Sequence, residues 1–137
     1  MSYIVTNALP ILAAALAAFV LGFGWYRLFD RSAAGGVHGG APAQRMSLGE
    51  AALVFLSEAW LAAILAGALI LAPVEAGRWT VALGSAAIIW VGFVLPVIVV
   101  DHRRRGLPWR LTAIDAGHWL AAMLLMAAVL RAVGVER

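Results

Sequence analysis

Three ionisable side chains fall inside apolar runs of this chain and are the best placed to do chemistry: Glu58, Asp115 and His118. A charged side chain costs roughly 2.5–3.5 kcal/mol at the centre of a membrane helix on insertion scales, so each calls for an explanation. Asp115 precedes His118 by three positions and shares its helix face, and Trp119 falls four after Asp115. Glu58 lies eight residues in from Glu50, and His118 eight residues in from Arg110. At about 1.5 Å per residue, both then sit about 12 Å from the same boundary. A Glu58–His118–Asp115 cluster at that depth could hold a proton or a divalent metal, because imidazole and carboxylate suit both. The same residues could form a hydrogen-bonded lock that fixes helix register, contributing about 0.6–2 kcal/mol. No HExxH or paired ExxH spacing is present, which favours the lock.

The other polar and aromatic landmarks have plainer expectations. His38 and His102 fall in loops, where solvation suffices. Trp25, Tyr26, Trp79 and Trp109 stand at the ends of apolar runs, where indole and phenol rings anchor at the headgroup level. Trp60, Trp90 and Trp119 lie deeper, and their indole N–H groups need partners within the packing. The Arg103-Arg104-Arg105 run is expected to set topology and to touch anionic headgroups. There is no phosphate-binding glycine loop, nucleophile elbow or CxxCH haem site, and only His118 is placed for axial ligation of a haem. Neither an enzyme nor a bound cofactor is expected.

The elements that must carry these residues are membrane helices. With 64% hydrophobic and 12% charged residues, against roughly 25% charged in a soluble domain, the chain would have to expose apolar surface to water at about 25 cal/mol per Å². Lipid is the consistent solvent. The 137 residues leave room for four crossings of about 20 residues, placed at about 4–26, 51–72, 79–100 and 111–133 in a single domain over 1–137. Pro96 falls near the far end of the third crossing, where a kink is tolerated. The 30–49 stretch, rich in glycine, alanine and serine, reads as the longest loop, and 101–106 as a charged turn.

Charge sets the orientation. All ten basic residues are arginine; seven of them (Arg27, Arg31, Arg45, Arg103, Arg104, Arg105, Arg110) fall in the two loops on one side and three (Arg78, Arg131, Arg137) on the other. The positive-inside rule puts the two arginine-rich loops in the cytoplasm and both termini on the non-cytoplasmic side. Because these arginines are dispersed beside apolar spans, nucleic acid is not an expected partner. Small residues every fourth position let helix backbones approach in lipid: Ala14, Ala18 and Gly22; Ala59, Ala63 and Gly67; Ala113, Gly117 and Ala121. They point to an all-α four-transmembrane-helix bundle.

Two stretches carry a family resemblance. Phe19-Val20-Leu21-Gly22-Phe23-Gly24-Trp25-Tyr26, followed by Leu28-Phe29, resembles the amino-terminal signature of the DUF1761 family of small bacterial integral membrane proteins. Trp90-Val91-Gly92-Phe93-Val94-Leu95-Pro96, then Pro108-Trp109 and Ile114-Asp115-Ala116-Gly117-His118-Trp119, resembles its carboxy-terminal half. The resemblance implies four helices in one small domain and carries no activity with it. The resulting expectation is a multi-pass protein of the bacterial inner membrane, a non-catalytic accessory subunit that packs against itself or against other subunits of a respiratory or photosynthetic complex. The alternative is a small proton or cation transporter using Glu58, Asp115 and His118.

Overall fold

The computed structural model describes residues 2–32, 46–73 and 77–136, and every regular element among them is helical. The elements are α1 (Ser2–Thr6), α2 (Ala8–Ser32), α3 (Leu48–Leu71), α4 (Arg78–Ile89), a π-turn (Trp90–Val94), α5 (Leu95–Arg104) and α6 (Trp109–Val133). Four helices are long and apolar enough to cross a membrane: Ala8–Phe29, Leu48–Leu71, Arg78–Arg104 and Trp109–Val133. The protein is therefore an all-α bundle of four membrane-length helices. The loop expected over 30–49 is shorter than its composition suggests, since α2 continues to Ser32 and α3 starts at Leu48. His38, Arg45 and Glu75 lie outside the described residues.

Local chemistry explains the boundaries. Pro10 has no N–H for the Thr6 carbonyl, and the ladder is interrupted at Asn7 between α1 and α2. At the start of α3, Ser47 and Glu50 form a capping box: the Ser47 hydroxyl accepts from the Glu50 amide at 3.3 Å, and the Glu50 carboxylate accepts from the Ser47 amide at 2.7 Å. That S-x-x-E pattern sets the start three residues before the apolar run does. Pro73 follows the end of α3.

The turn expected at 101–106 is instead the last turn of α5 and its cap. Leu107 donates to the His102 carbonyl and Gly106 to that of Arg103, with Gly106 at φ 67°. This pair of bonds is a Schellman motif, and the left-handed residue it requires is the glycine. As a result Asp101, His102, Arg103 and Arg104 are helical.

Pro96 acts upstream of itself. Leu95 donates to the Trp90 carbonyl, five residues back, and the widened turn absorbs one extra residue ahead of the proline. In an unbroken α-helix Trp90 and His102, twelve positions apart, would stand about 120° from one another; one absorbed residue reduces that to about 20°. The π-turn thus puts Trp90 and His102 on one face of the third span, toward α6.

The core is made of small side chains. Ala14 and Ala18 of α2, Ala62, Ala63 and Ala66 of α3, Ala82 and Ala86 of α4, and Ala122 and Ala127 of α6 are buried, with Leu65, Met123, Met126 and Leu130 filling the space between. The stripes expected on α2 and α3 lie largely inside, but on α6 the buried alanines are Ala116, Ala122 and Ala127, and Ala113 is exposed. Burial is uneven: 39% of the most apolar stretch of the fourth span is buried within the protein, against 6% for the third. The third span therefore flanks a three-helix centre.

One end of the bundle is closed by Asn7, 1% exposed. Its amide nitrogen donates to the carbonyls of Tyr3 at 2.9 Å and Glu136 at 3.0 Å, and its oxygen accepts from the Glu136 amide at 2.7 Å. The amino- and carboxy-terminal segments thus meet at the same end. Beside them the Tyr3 hydroxyl donates to the Ala63 carbonyl at 3.3 Å over Gly67, where an added Cβ would come within 3.1 Å of it. Asn7→Ala removes this two-way clasp; it is expected to lower stability by about 1–2 kcal/mol and to speed carboxypeptidase trimming of the tail. A thermal melt in detergent and a trimming time course check it, and an unchanged rate and melt would contradict the clasp.

Candidate functional site

The other end of the bundle collects most of the polar and aromatic side chains, and its base is a reciprocal fit between α2 and α6. A Cβ built on Gly22 would lie 3.3 Å from His118 Nε2, and one on Gly117 would lie 3.2 Å from Trp25 Cζ2. Each helix therefore offers a glycine as the seat for a ring of the other. The Trp25 indole donates to the Ile114 carbonyl at 3.2 Å, and the Tyr26 hydroxyl donates to Asp115 Oδ1 at 3.0 Å. From the third span the Trp90 indole reaches the Ala116 carbonyl at 2.9 Å. The helical carbonyls of Ile114 and Ala116 have a second lone pair, so they accept these bonds without leaving the α6 ladder.

Asp115 is the meeting point. Its second oxygen lies 3.3 Å from His102 Nε2. The other ring nitrogen, Nδ1, is 3.2 Å from the Thr112 hydroxyl, to which Arg103 donates at 2.9 Å. The partners fix the roles in a neutral ring: Thr112 O–H donates to Nδ1 and Arg103 donates to the Thr112 oxygen, which leaves the ring proton on Nε2, on the side of the carboxylate. Arg103 also donates to the Leu107 carbonyl and lies 4.0 Å above the Trp109 ring. A chain of polar contacts thus runs from a guanidinium through a hydroxyl and an imidazole to a carboxylate, tying α5 to α6 and, through Tyr26, to α2.

This arrangement corrects several expectations. His102 is not a solvated loop residue; it is 8% exposed and sits in the last turn of α5. The helix-stop signal Gly106-Leu107-Pro108 was the feature that could have placed it there. Trp25 and Tyr26 turn into the bundle as hydrogen-bond donors instead of facing outward as interface anchors, whereas Trp79 and Trp109 are exposed on its surface. The three consecutive arginines do different things. Arg103 clamps the hairpin, Arg105 pairs with Asp101 at 3.1 Å, and Arg104 is exposed.

The Glu58–His118–Asp115 cluster does not form. Asp115 is engaged by Tyr26 and His102, while His118, 4% exposed, has no hydrogen-bond partner at either ring nitrogen. His118 packs instead among Tyr26, Trp119 and Trp25, with ring centroids 4.9, 5.4 and 6.2 Å away. Glu58 is 2% exposed, and its Oε2 likewise has no partner. Depth explains the separation. Phe55 of α3 meets Phe19 of α2, whereas His118 meets Gly22. Glu58, three residues beyond Phe55, therefore lies about 9 Å deeper along the bundle than His118. Among the described residues no group of three metal-ligating side chains comes together.

The glycine seats yield a contrast that can be measured. Gly117→Ala and Gly22→Ala force a ring to shift and are expected to cost about 1–3 kcal/mol each. Gly84→Ala and Gly92→Ala, where a Cβ meets open space, are expected to be neutral or to stabilise by up to about 1 kcal/mol through helix propensity. Equilibrium unfolding of the four variants in one detergent checks this, and equal losses at all four positions would refute the reciprocal fit.

No curated protein and no solved structure matches the chain. The family described as "Protein of unknown function (DUF1761)" matches residues 9–131. That stretch contains both halves of the glycine-and-ring fit, from Gly22, Trp25 and Tyr26 through Pro96 to Asp115, Gly117 and His118. By that match the chain belongs to the DUF1761 family.

Proposed function

We propose that this protein is a non-catalytic subunit of the bacterial inner membrane, packing as a homo-oligomer or within a larger energy-transducing complex, with its two arginine-bearing hairpins in the cytoplasm. The observation that carries the reading is the third span. Only 6% of its most apolar stretch is buried within the protein, while Gly84 and Gly92 have open space where a side chain would be. Close helix approach in lipid uses such small residues. The polar network at the hairpin end supports the same reading, because Tyr26, Asp115, His102, Thr112 and Arg103 spend their hydrogen bonds joining helices. Extraction from native membranes in a mild detergent is expected to give a homo-oligomer or a stoichiometric complex. Recovery as a lone monomer under every mild condition would overturn it. Reporter fusions are expected to find both chain ends outside the cytoplasm, and a cytoplasmic signal at either end would reverse the threading.

One observation favours a second reading, a small proton or cation transporter. Glu58 Oε2 and both nitrogens of His118 are buried without a hydrogen-bond partner, and an unsatisfied buried polar group costs about 1–3 kcal/mol. In proteoliposomes this reading predicts cation or proton flux that Glu58→Gln and His118→Ala abolish while assembly is kept. Absence of flux from the unmodified protein would remove it.

A further inference from the structure

We propose that Glu58 is a proton-binding site, a carboxyl group that takes up and releases one proton through the hairpin end of the bundle, and that it holds no metal cation. Glu58 shares the inward face of α3 with Ala62 and Leu65, four and seven positions on, and is 2% exposed. Its Oε2 has no hydrogen-bond partner, and among the described residues Glu58 forms no ion pair. The levels set by Phe19–Phe55 and Gly22–His118 bring Ala14 and Ala18 of α2 and Ala122, Met123 and Met126 of α6 to about its depth. No ionisable residue lies between Tyr3 and Tyr26, between Arg78 and Asp101, or between His118 and Arg131. A carboxylate in such surroundings is an uncompensated charge, whereas the carboxylic acid is neutral. A hard cation such as calcium takes about six or more oxygen ligands, and no group of three metal-ligating side chains comes together among the described residues. A proton needs only one oxygen.

The two directions away from Glu58 differ. Toward the hairpin, His118 lies about 9 Å nearer that end, buried, with both ring nitrogens unpaired. One helical turn further stands Asp115, whose side chain is 34% exposed and joined to Tyr26 and His102. Asp115, His118 and Glu58 are thus titratable steps of increasing depth. An unpaired imidazole nitrogen and an unpaired carboxyl oxygen can each bind a transient water, which carries the proton over the gap between them. Toward the other end no such steps exist among the described residues. Leu65, Ala66, Met126, Ala127 and Leu130 fill the interior, the Tyr3 hydroxyl is held by the Ala63 carbonyl, and Asn7 closes the end. Arg131, on that side, keeps its proton. The inference names the ion for the second reading above, yet it stands without transport, because a site reached from one end takes up a proton and passes none across.

The test labels the full chain with dicyclohexylcarbodiimide, which enters apolar sites and reacts with a protonated carboxyl group. The acid's proton goes to a carbodiimide nitrogen, its oxygen bonds to the central carbon, and nothing leaves. Mass spectrometry of the chain and its peptides reads the adduct. One adduct is expected, on Glu58, absent in Glu58→Gln and falling about tenfold per pH unit on the alkaline side of its midpoint. Sodium, potassium, magnesium and calcium at fixed pH are expected to leave the yield unchanged. The chain has no cysteine, so Arg104→Cys with a membrane-impermeant maleimide sorts proteoliposomes by orientation, and the yield is expected to follow the pH on the hairpin side alone. No adduct on Glu58 at any pH, a yield indifferent to pH, protection by any of the four cations, or a yield set by the pH of the opposite side would each overturn the proposal. Flux is scored separately: a pH-dependent adduct without flux removes the transporter reading and leaves this site, and flux without such an adduct does the reverse.

Discussion

Helices in lipid gain nothing from hiding apolar surface from one another, so something more specific has to hold them. Here it is the seating of rings on glycines. His118 rests against Gly22 and Trp25 against Gly117, and each fit needs the other because both set the same separation of α2 and α6. Close approach at that crossing in turn lets the Trp25 indole and the Tyr26 hydroxyl reach α6. Interhelical hydrogen bonds in membranes average about 0.6 kcal/mol and reach about 1.7. Several of them on a shared, well-packed crossing therefore matter more for fixing register than any single one does for stability.

The third span depends on that crossing at second hand. With little of its surface buried, it is held by two polar points on α6: Trp90 on the Ala116 carbonyl, and His102 on Asp115 and Thr112. Those points fall on one helix face only because the turn before Pro96 is widened. Pro96 therefore has a use beyond kinking: with an α-helical turn in its place, either the indole or the imidazole would point away from α6. Asp115, shared by His102 and Tyr26, makes the outer helix and the central one answer to the same carboxylate.

Much of this was legible in the residues, and the illegible part has a physical cause. Length, apolarity and small-residue spacing are properties of single helices, and they located the four spans and most of the packing faces. Pairings between helices depend on relative depth, which the ends of apolar runs set only to within a turn or so. Counting from Glu50 and Arg110 brought Glu58 level with His118, but the contacts Phe19–Phe55 and Gly22–His118 put them on different levels. A displacement of that size is enough to remove a hydrogen bond. Trp25 and Tyr26 failed for another reason: an amphipathic ring near a helix end suits a headgroup or a neighbouring carbonyl equally well. The partner, Ile114 or Asp115, lies about ninety residues away in sequence. His102 was hidden by reading its charged neighbours as a turn when Gly106 was the residue that ended the helix.

What packing explains at the hairpin end sharpens what it leaves over. Asn7 and Tyr3 close one end with hydrogen bonds, and the Asp115 network closes the other. Between them lies a core of alanine, leucine and methionine that needs no polar group. His118 is accounted for by the three aromatic rings around it and the glycine beneath it. Glu58 has no such account. A lock needs a bond, yet its Oε2 makes none, and a leucine of similar size would fill the same space without the cost of burying a carboxyl group. Helix register is already set by the glycine seats, so Glu58 is not needed for it. If the interior of this bundle does anything beyond holding its shape, Glu58 is the side chain whose presence the fold itself does not require.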